Sequence, residues 1–239
     1  MSSECLLSVI IPLAPGELAW RELLRDLSPL TSDCEILIVG SELPSESDVS
    51  LYLLSGAKIR FITSPTGRAL QMNRAASEAK GQTLWFLHAD SRLPHESIVK
   101  ALELCATLYR QREAGALFYF DLKFHADGPL FTTLNEIGVY LRCRLFKIPF
   151  GDQGFLLEKE RFHQLSGYTE QCSYGEDHLL VWKAKRLKIP ICSTGRVIYT
   201  SARKYRQFGW FKVTASHLNL FTQQAFPQFC VLLRERLGK

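Results

Sequence analysis

The 239-residue sequence has no apolar run approaching the roughly 20 residues that a membrane-spanning helix requires. Near Met1 there is no basic region followed by an apolar stretch and a small-residue cleavage site, so no secretory signal is expected. Neither GxxxxGK[ST] nor GxGxxG occurs, which removes support for the P-loop and Rossmann modes of phosphate binding. No two of the seven cysteines (5, 34, 105, 143, 172, 192 and 230) form a CxxC pair. Their odd number and scatter argue against a disulfide frame or a zinc site, and point to reduced, partly buried thiols in a cytoplasmic protein. Repeats, low-complexity tracts and obvious linkers are also missing. Acid is scarce at one end. From Lys183 onward there are twelve Lys plus Arg against Glu235 alone, leaving 17 basic and 23 acidic residues elsewhere. A basic segment beside a mildly acidic body suits a phosphorylated ligand, an anionic membrane or nucleic acid, or else a solvated helix face. The tail lacks the combined aromatic platform and basic groove of single-strand binders, so no nucleic-acid partner is expected.

What is present is an ordinary globular composition, 46% hydrophobic and 22% charged, enough to bury one sizeable core. Short apolar runs alternate with helical patterns. "LLSVIIP" (Leu6–Pro12), "CEILIVG" (Cys34–Gly40), "AKIRFI" (Ala57–Ile62) and "TLWFL" read as strands. Gly16–Leu27, Ser45–Leu54, Gly67–Gly81 and Pro94 to about Arg112 read as helices between and after them. The alternation predicts an α/β fold with a mainly parallel central sheet flanked by helices. After Gly115 the pattern loosens. Ala116–Phe124 suggests an edge or antiparallel strand, Pro129–Phe146 a helix, and Gly151–Tyr168 a loop, short strand and short helix. Tyr174–Lys188 reads as a helix, Arg196–Arg203 as a strand running into a basic loop, and Gly209–Leu233 as an amphipathic helix interrupted near Pro227.

The chemistry-bearing residues sit where such a sheet binds ligands, beyond the carboxyl ends of its strands. "LWFLHADSRLP" drops from a buried strand onto His88 and Asp90. One carboxylate at a strand tip, with diphosphate oxygens and water, makes an adequate Mg²⁺ or Mn²⁺ site. In an extended segment His88 would point the same way as Asp90. The alternative is that Asp90 and Ser91 cap the helix opened at Pro94. A second "HAD", His125 to Asp127, reads as a turn because Gly128 and Pro129 follow. Glu176 and Asp177 fall in the first turn of a helix, where the dipole favours carboxylates and where a base for a hydroxyl proton would also serve. Arg203, Lys204 and Arg206 could clamp a pyrophosphate, and Gly67-Arg68 offers backbone amides plus a cation.

Taken in order, "SVIIP", "GRALQMNRAA", "LWFLHADSRLP", "GDQGFLLEKERF", "SGY", "YGEDHLLVWKAKRL" and "TSARKYRQFGW" resemble the blocks of family 2 glycosyltransferases with the GT-A fold. More narrowly, they look like a compact bacterial branch carrying HAD, GDQG and TSAR, often labelled arsenosugar-biosynthesis or radical-SAM-associated glycosyltransferases. The likeness runs from about Ser8 to Leu233. It implies an inverting, metal-dependent glycosyltransferase that moves a sugar from a nucleoside diphosphate sugar to a hydroxyl acceptor, lipid or small metabolite. Asp90 would hold Mg²⁺ or Mn²⁺ in place of the family's Asp-x-Asp motif, with His88 at the first aspartate. Asp177 would be the general base. Pro12, Arg68, Asn73, His88, Asp90, Arg203 and Arg206 would line the donor. Gly151, Asp152, Gln153 and Glu176 would line the acceptor or sugar side.

Three parts are expected within one 1–239 domain: a nucleotide-binding half (1–112), an acceptor half (113–208) and a helical basic tail (209–239). The tail could rest against the inner face of a membrane. One departure stands out: the family's second strand ends in an aspartate motif, whereas here Gly40 and Ser41 occupy that place, with Glu42 next. That departure keeps open a nucleotide-sugar binding or regulatory module that no longer transfers sugar. A sugar nucleotidyltransferase is the third reading, although "PLAPGELAW" has one glycine and no lysine where that chemistry wants a glycine-rich, lysine-bearing loop.

Overall fold

The computed structural model describes residues 5–52, 55–111, 115–172 and 174–238. Its centre is a seven-stranded sheet. In chain order the strands are β1 (Leu7–Leu13), β2 (Cys34–Gly40), β3 (Lys58–Thr63), β4 (Thr83–Phe86), β5 (Leu117–Phe124), β6 (Phe155–Glu158) and β7 (Ile191–Thr200). Their spatial order is β3-β2-β1-β4-β6-β5-β7. β1 to β4 run parallel, β6 is antiparallel to both of its neighbours, and β5 and β7 are parallel to each other. The mainly parallel α/β sheet expected from the sequence is therefore present.

Helices cover both faces, which is why β1 and β2 are buried along their whole length rather than alternating. On one face Ile10, Leu37, Leu84 and Phe155 pack under α3 (Arg68–Glu78) and α7 (Glu176–Arg186). On the other, Val9, Ile36, Trp85 and Leu156 pack under α1 (Trp20–Asp26) and α4 (His95–Gln111). Each fully buried Leu, Ile or Val contributes about 1.5–3 kcal/mol relative to exposure.

The remaining helices are α2 (Glu46–Ser50), α5 (Thr132–Leu141), α6 (Lys159–Gln164), α8 (Arg203–Phe208) and α9 (Trp210–Leu237). α5 runs into a π-helical turn, Arg142–Phe146, and a short 3₁₀ turn, Gly151–Gln153, leads into β6. Leu54 and Arg112, the expected ends of two helices, lie outside the described residues.

Several boundaries differ from the sequence reading. β5 is not an edge strand: it lies inside the sheet, antiparallel to β6 and parallel to β7, and β7 forms the edge. Its alternation comes from Asp121, which is held by Ser193 Oγ at 2.9 Å and Arg144 at 3.3 Å rather than left to solvent. β7 begins at Ile191, and Arg203 opens a helix instead of a loop. α9 runs unbroken through Pro227. That proline is exposed, as is Gln223, the residue whose carbonyl loses its helical partner to it. All seven cysteines are free thiols.

Candidate functional site

The site forms where the carboxyl end of β4 meets the entrance to β6. Phe86 pairs with Phe155 across this antiparallel junction. The segment leaving β4 and the turn entering β6 therefore emerge side by side at one end of the sheet.

The segment leaving β4 does not stay extended. Ser91 N donates to His88 O at 3.0 Å, which closes a turn around Asp90. The strand rule that would point His88 and Asp90 the same way thus fails here, because the alternation ends at the turn. Arg92 anchors that turn. It grips Asp26 bidentately, through Nε at 2.7 Å and a second guanidinium nitrogen at 2.9 Å, and its backbone bridges to Tyr199. No hydrogen bond to a described residue holds the Asp90 carboxylate, so the helix-capping alternative finds no support.

Gly151 fits between the two loops. Its N–H donates to Asp177 Oδ2. A Cβ there would stand 2.9 Å from that oxygen and 3.2 Å from His88 Nε2. Gly151 is glycine because of this close approach rather than because of its backbone angles. Asp177, at the start of α7, accepts a second bond from His178 N at 2.8 Å. Both carboxylate oxygens are thereby oriented by backbone amides.

Charge at the site is mixed. Arg68, the first residue of α3, lies 3.5 Å from His88 Nε2 and 3.3 Å from Glu176 Oε1. Burial, then Arg68 and Lys204, holds the His88 imidazole well below its ordinary pKa, with Asp177 opposing. His88 is therefore neutral at neutral pH. Asp152 is pushed up to about 6 by burial, with Asp177 and Asp90 adding repulsion and Arg142 opposing. Its Oδ1 is buried without a hydrogen-bond partner. Asp152 thus has an unanswered oxygen and feels the negative charge of Asp177 and Asp90, a local excess that a cation would offset. Among the described residues no three His, Cys, Asp or Glu side chains cluster tightly enough to form a metal site unaided. The arrangement fits a divalent ion held by Asp90 and completed by ligand oxygens and water.

The other expected residues are distributed as follows. Pro12 is buried near the end of β1, next to Leu13, whose carbonyl accepts from Gln71 Nε2 at 3.0 Å. Gln153 is buried, accepting from Arg142 at 3.2 Å and Phe150 N at 3.1 Å and donating to Phe120 O at 3.0 Å. It holds the turn's shape. Asn73 is likewise spent on the chain, exchanging bonds with Tyr168 at 2.9 Å both ways and donating to Glu170 at 2.8 Å. Arg203 and Arg206 are exposed on α8. The α8 cation whose field reaches His88 is Lys204. The second HAD is structural: Asp127 accepts from Ser201 Oγ at 2.6 Å and Ala202 N at 2.8 Å, fixing the start of α8. Gly40 ends β2 tightly, since a Cβ would meet the Leu13 and Glu42 carbonyls at 3.2 Å. A carboxylate side chain does not fit there without a shift.

Sequence reasoning missed three features. Arg142, from the π turn, stacks 3.6 Å from the Phe150 ring centroid beside Gln153. Arg92, two residues after Asp90, carries no local signal of its pairing with Asp26. His178 forms a relay behind Asp177: its Nε2 accepts from Trp182 Nε1 at 2.8 Å, so its Nδ1 donates to Gln224 Oε1 at 2.7 Å. Gln224 also donates to the carbonyls of Tyr174 and Gly175, tying α9 to the start of α7. Helical spacing of His178 and Trp182, four residues apart, was the only local signal.

No protein-family model matches the chain, and no curated protein matches it by sequence. Solved structures match by fold. The mannosyltransferase PcManGT from Pyrobaculum calidifontis, in complex with GDP-Man and Mn²⁺, superposes with a TM-score of 0.64 at 16% identity, covering 96% of this chain and 68% of that one. TarS from S. aureus gives 0.60 at 15% identity, over 84% of this chain and 38% of that one. A shorter TarS, residues 1–349 in complex with UDP-GlcNAc, gives 0.58 at 16% identity, over 82% and 58%. The chain thus spans well under two thirds of the TarS structures it matches. The likeness is one of architecture: the chain has a GT-A-type α/β fold.

Proposed function

We propose that this protein is a glycosyltransferase of the family 2 type, taking a sugar from a nucleoside diphosphate donor to a hydroxyl acceptor with inversion. One observation carries the reading. His88 and Asp90, Gly151 and Asp152, and Glu176 and Asp177 converge with Arg68 and Lys204 at the carboxyl ends of the parallel strands, on a GT-A-type sheet. That is the place where open α/β sheets bind ligands.

Asp90 would hold Mg²⁺ or Mn²⁺, whose charge neutralises a leaving diphosphate. Arg68 and Lys204 bind the same phosphates from two sides, and Arg203 and Arg206 add positive potential from α8. Neutral His88 presents a ring nitrogen to the donor without adding charge. Asp177, held by Gly151 N and His178 N, takes the proton from the acceptor hydroxyl as that oxygen attacks the anomeric carbon from the face opposite the diphosphate. Attack from that face inverts the configuration. Glu176 keeps Arg68 in place through the ion pair at 3.3 Å. Pro12 and Asn73 act as wall and brace rather than as direct contacts.

The test is calorimetric titration with UDP, GDP, CDP and dTDP, each in Mn²⁺ and in EDTA. Metal-dependent binding of one diphosphate that disappears in Asp90→Ala supports the donor site. Absence of binding to all four sinks it. The crowding at Gly40 favours a second reading, a module that binds nucleotide sugar without transferring it. Donor binding with no sugar transfer or hydrolysis across a broad acceptor pool would select that reading.

A further inference from the structure

The outer face of the helical layer formed by α5 and α9 is apolar and uncovered. Leu134, Ile137 and Leu141 on α5, with Leu130 before it and Leu145 in the π-helical turn after it, recur at helical spacing and are between 48% and 92% exposed. The opposite side of α5 faces the body: Cys143, in the turn that continues it, is buried, and Glu136 is used on Phe124 N. On α9, Leu218, Phe226, Phe229 and Leu233 form a second outward stripe, while Val213, Gln224 and Leu232 face the body. The two helices touch near their N-terminal ends, at Asn135–Thr214 and at the Phe131 and Trp210 rings. Scattered exposed apolar residues are ordinary, but two helical stripes are not.

Charge identifies what covers this face. α9 carries Lys212, Arg234 and Arg236 against Glu235 alone. A second copy of the chain would bring the same positive charge against this face and be repelled. No described helix is long and apolar enough to cross a membrane, which leaves contact in the plane of its surface. We propose that the α5–α9 face docks on an anionic lipid bilayer, with the leucines and phenylalanines entering the headgroup boundary and the basic residues meeting the lipid phosphates. Sequence reasoning placed such contact on the basic tail alone; α5 supplies half of the apolar surface. The same α9 reaches the site from its inner side, where Phe221 packs on Phe150 and His178. Docking would therefore hold the site close to the bilayer. The proposal stands independently of glycosyl transfer.

The full-length protein is sedimented with phosphatidylcholine vesicles, with and without phosphatidylglycerol, at low and high salt. Binding is expected only with phosphatidylglycerol, and salt should weaken it. The double substitution Leu134→Ser with Phe226→Ser should lower that binding by about tenfold or more, since each removes a buried apolar side chain from the bound state. Its thermal melt and its nucleotide titration should match those of the parent, which separates this outcome from failure of the donor site. Failure to sediment, or equal binding to neutral and anionic vesicles, overturns the proposal. A concentration-dependent dimer that the same two substitutions abolish, without vesicle binding, would assign the face to a second copy.

Discussion

Asp152→Asn should stabilise the protein at alkaline pH and leave it unchanged in acid. Asp152 rises from an ordinary 3.8 to about 6 on folding because its carboxylate is buried near Asp177 and Asp90. Each unit of difference is worth about 1.4 kcal/mol, which sets a ceiling of about 3 kcal/mol. The side chain is only partly covered, and screening by solvent reduces this to about 1–2 kcal/mol. The sign follows from linkage. Below pH 4 Asp152 is protonated in both states, and asparagine imitates it. Between 4 and 6 the unfolded chain ionises before the folded one, so the parent loses stability as pH rises; above 6 the full penalty applies. Asparagine escapes that penalty. In a chain of this length the gain corresponds to about 2–8 °C in Tm. Melts in EDTA across pH 4 to 8 should show the variant and parent together at pH 4 and the variant higher at pH 8. A variant that melts at or below the parent at pH 8 would refute the claim that burial, with Asp177 and Asp90 adding repulsion, disfavours the ionised Asp152. Activity should fall in the same variant, as expected where charge crowding serves function.

Asp177→Asn should cut turnover by about 10²–10⁴ while donor titration stays within a few fold; equal loss of both removes Asp177 from the base role. Gly151→Ala drives a methyl to 2.9 Å from Asp177 Oδ2 and should cost about 1–3 kcal/mol in urea unfolding, with loss of activity; an unchanged midpoint would mean the loops are not packed as described. His178→Ala leaves Trp182 Nε1 and Gln224 Oε1 without their partner and should cost about 2–4 kcal/mol, against about 1 kcal/mol for Gln224→Ala, read from the same unfolding curves. A smaller loss in His178→Ala than in Gln224→Ala would break the relay.

β1, β2 and β4 were legible because each is a short apolar run, and burial on both faces demands such runs; β3, half exposed at the sheet edge, was legible from its β-branched and aromatic residues. The places of Asp90 beyond a strand and of Glu176 and Asp177 at a helix start were legible, because apolar runs and helical periodicity mark those ends. Pairings between distant residues were not. Arg92 finds Asp26 across 66 residues, Gly151 finds Asp177 across 26 and His178 finds Gln224 across 46, and none leaves a local pattern. Asn73 shows the same limit from the other side: an amide in a donor-like block is used to brace Tyr168. The helix runs through Pro227 although an internal proline costs a hydrogen bond and a clash with the preceding turn, because the helical bonds on either side carry it on.

The reversed strand β6 also bears on how the molecule is made. β1 to β4 form a parallel unit in which β1 joins β2 and β2 joins β3 through single crossovers, while β1 meets β4 only after the whole of β2 and β3, Leu7 lying opposite Thr83. β6 must then insert between β4 and β5, pairing Phe86 with Phe155 and Phe118 with Leu156. Until it does, two strands that end up buried present open edges, and neither half of the site has its counterpart. Because Phe86 lies opposite Phe155, a chain in which β4 and β6 have not paired lacks the candidate pocket as well as the continuity of the sheet.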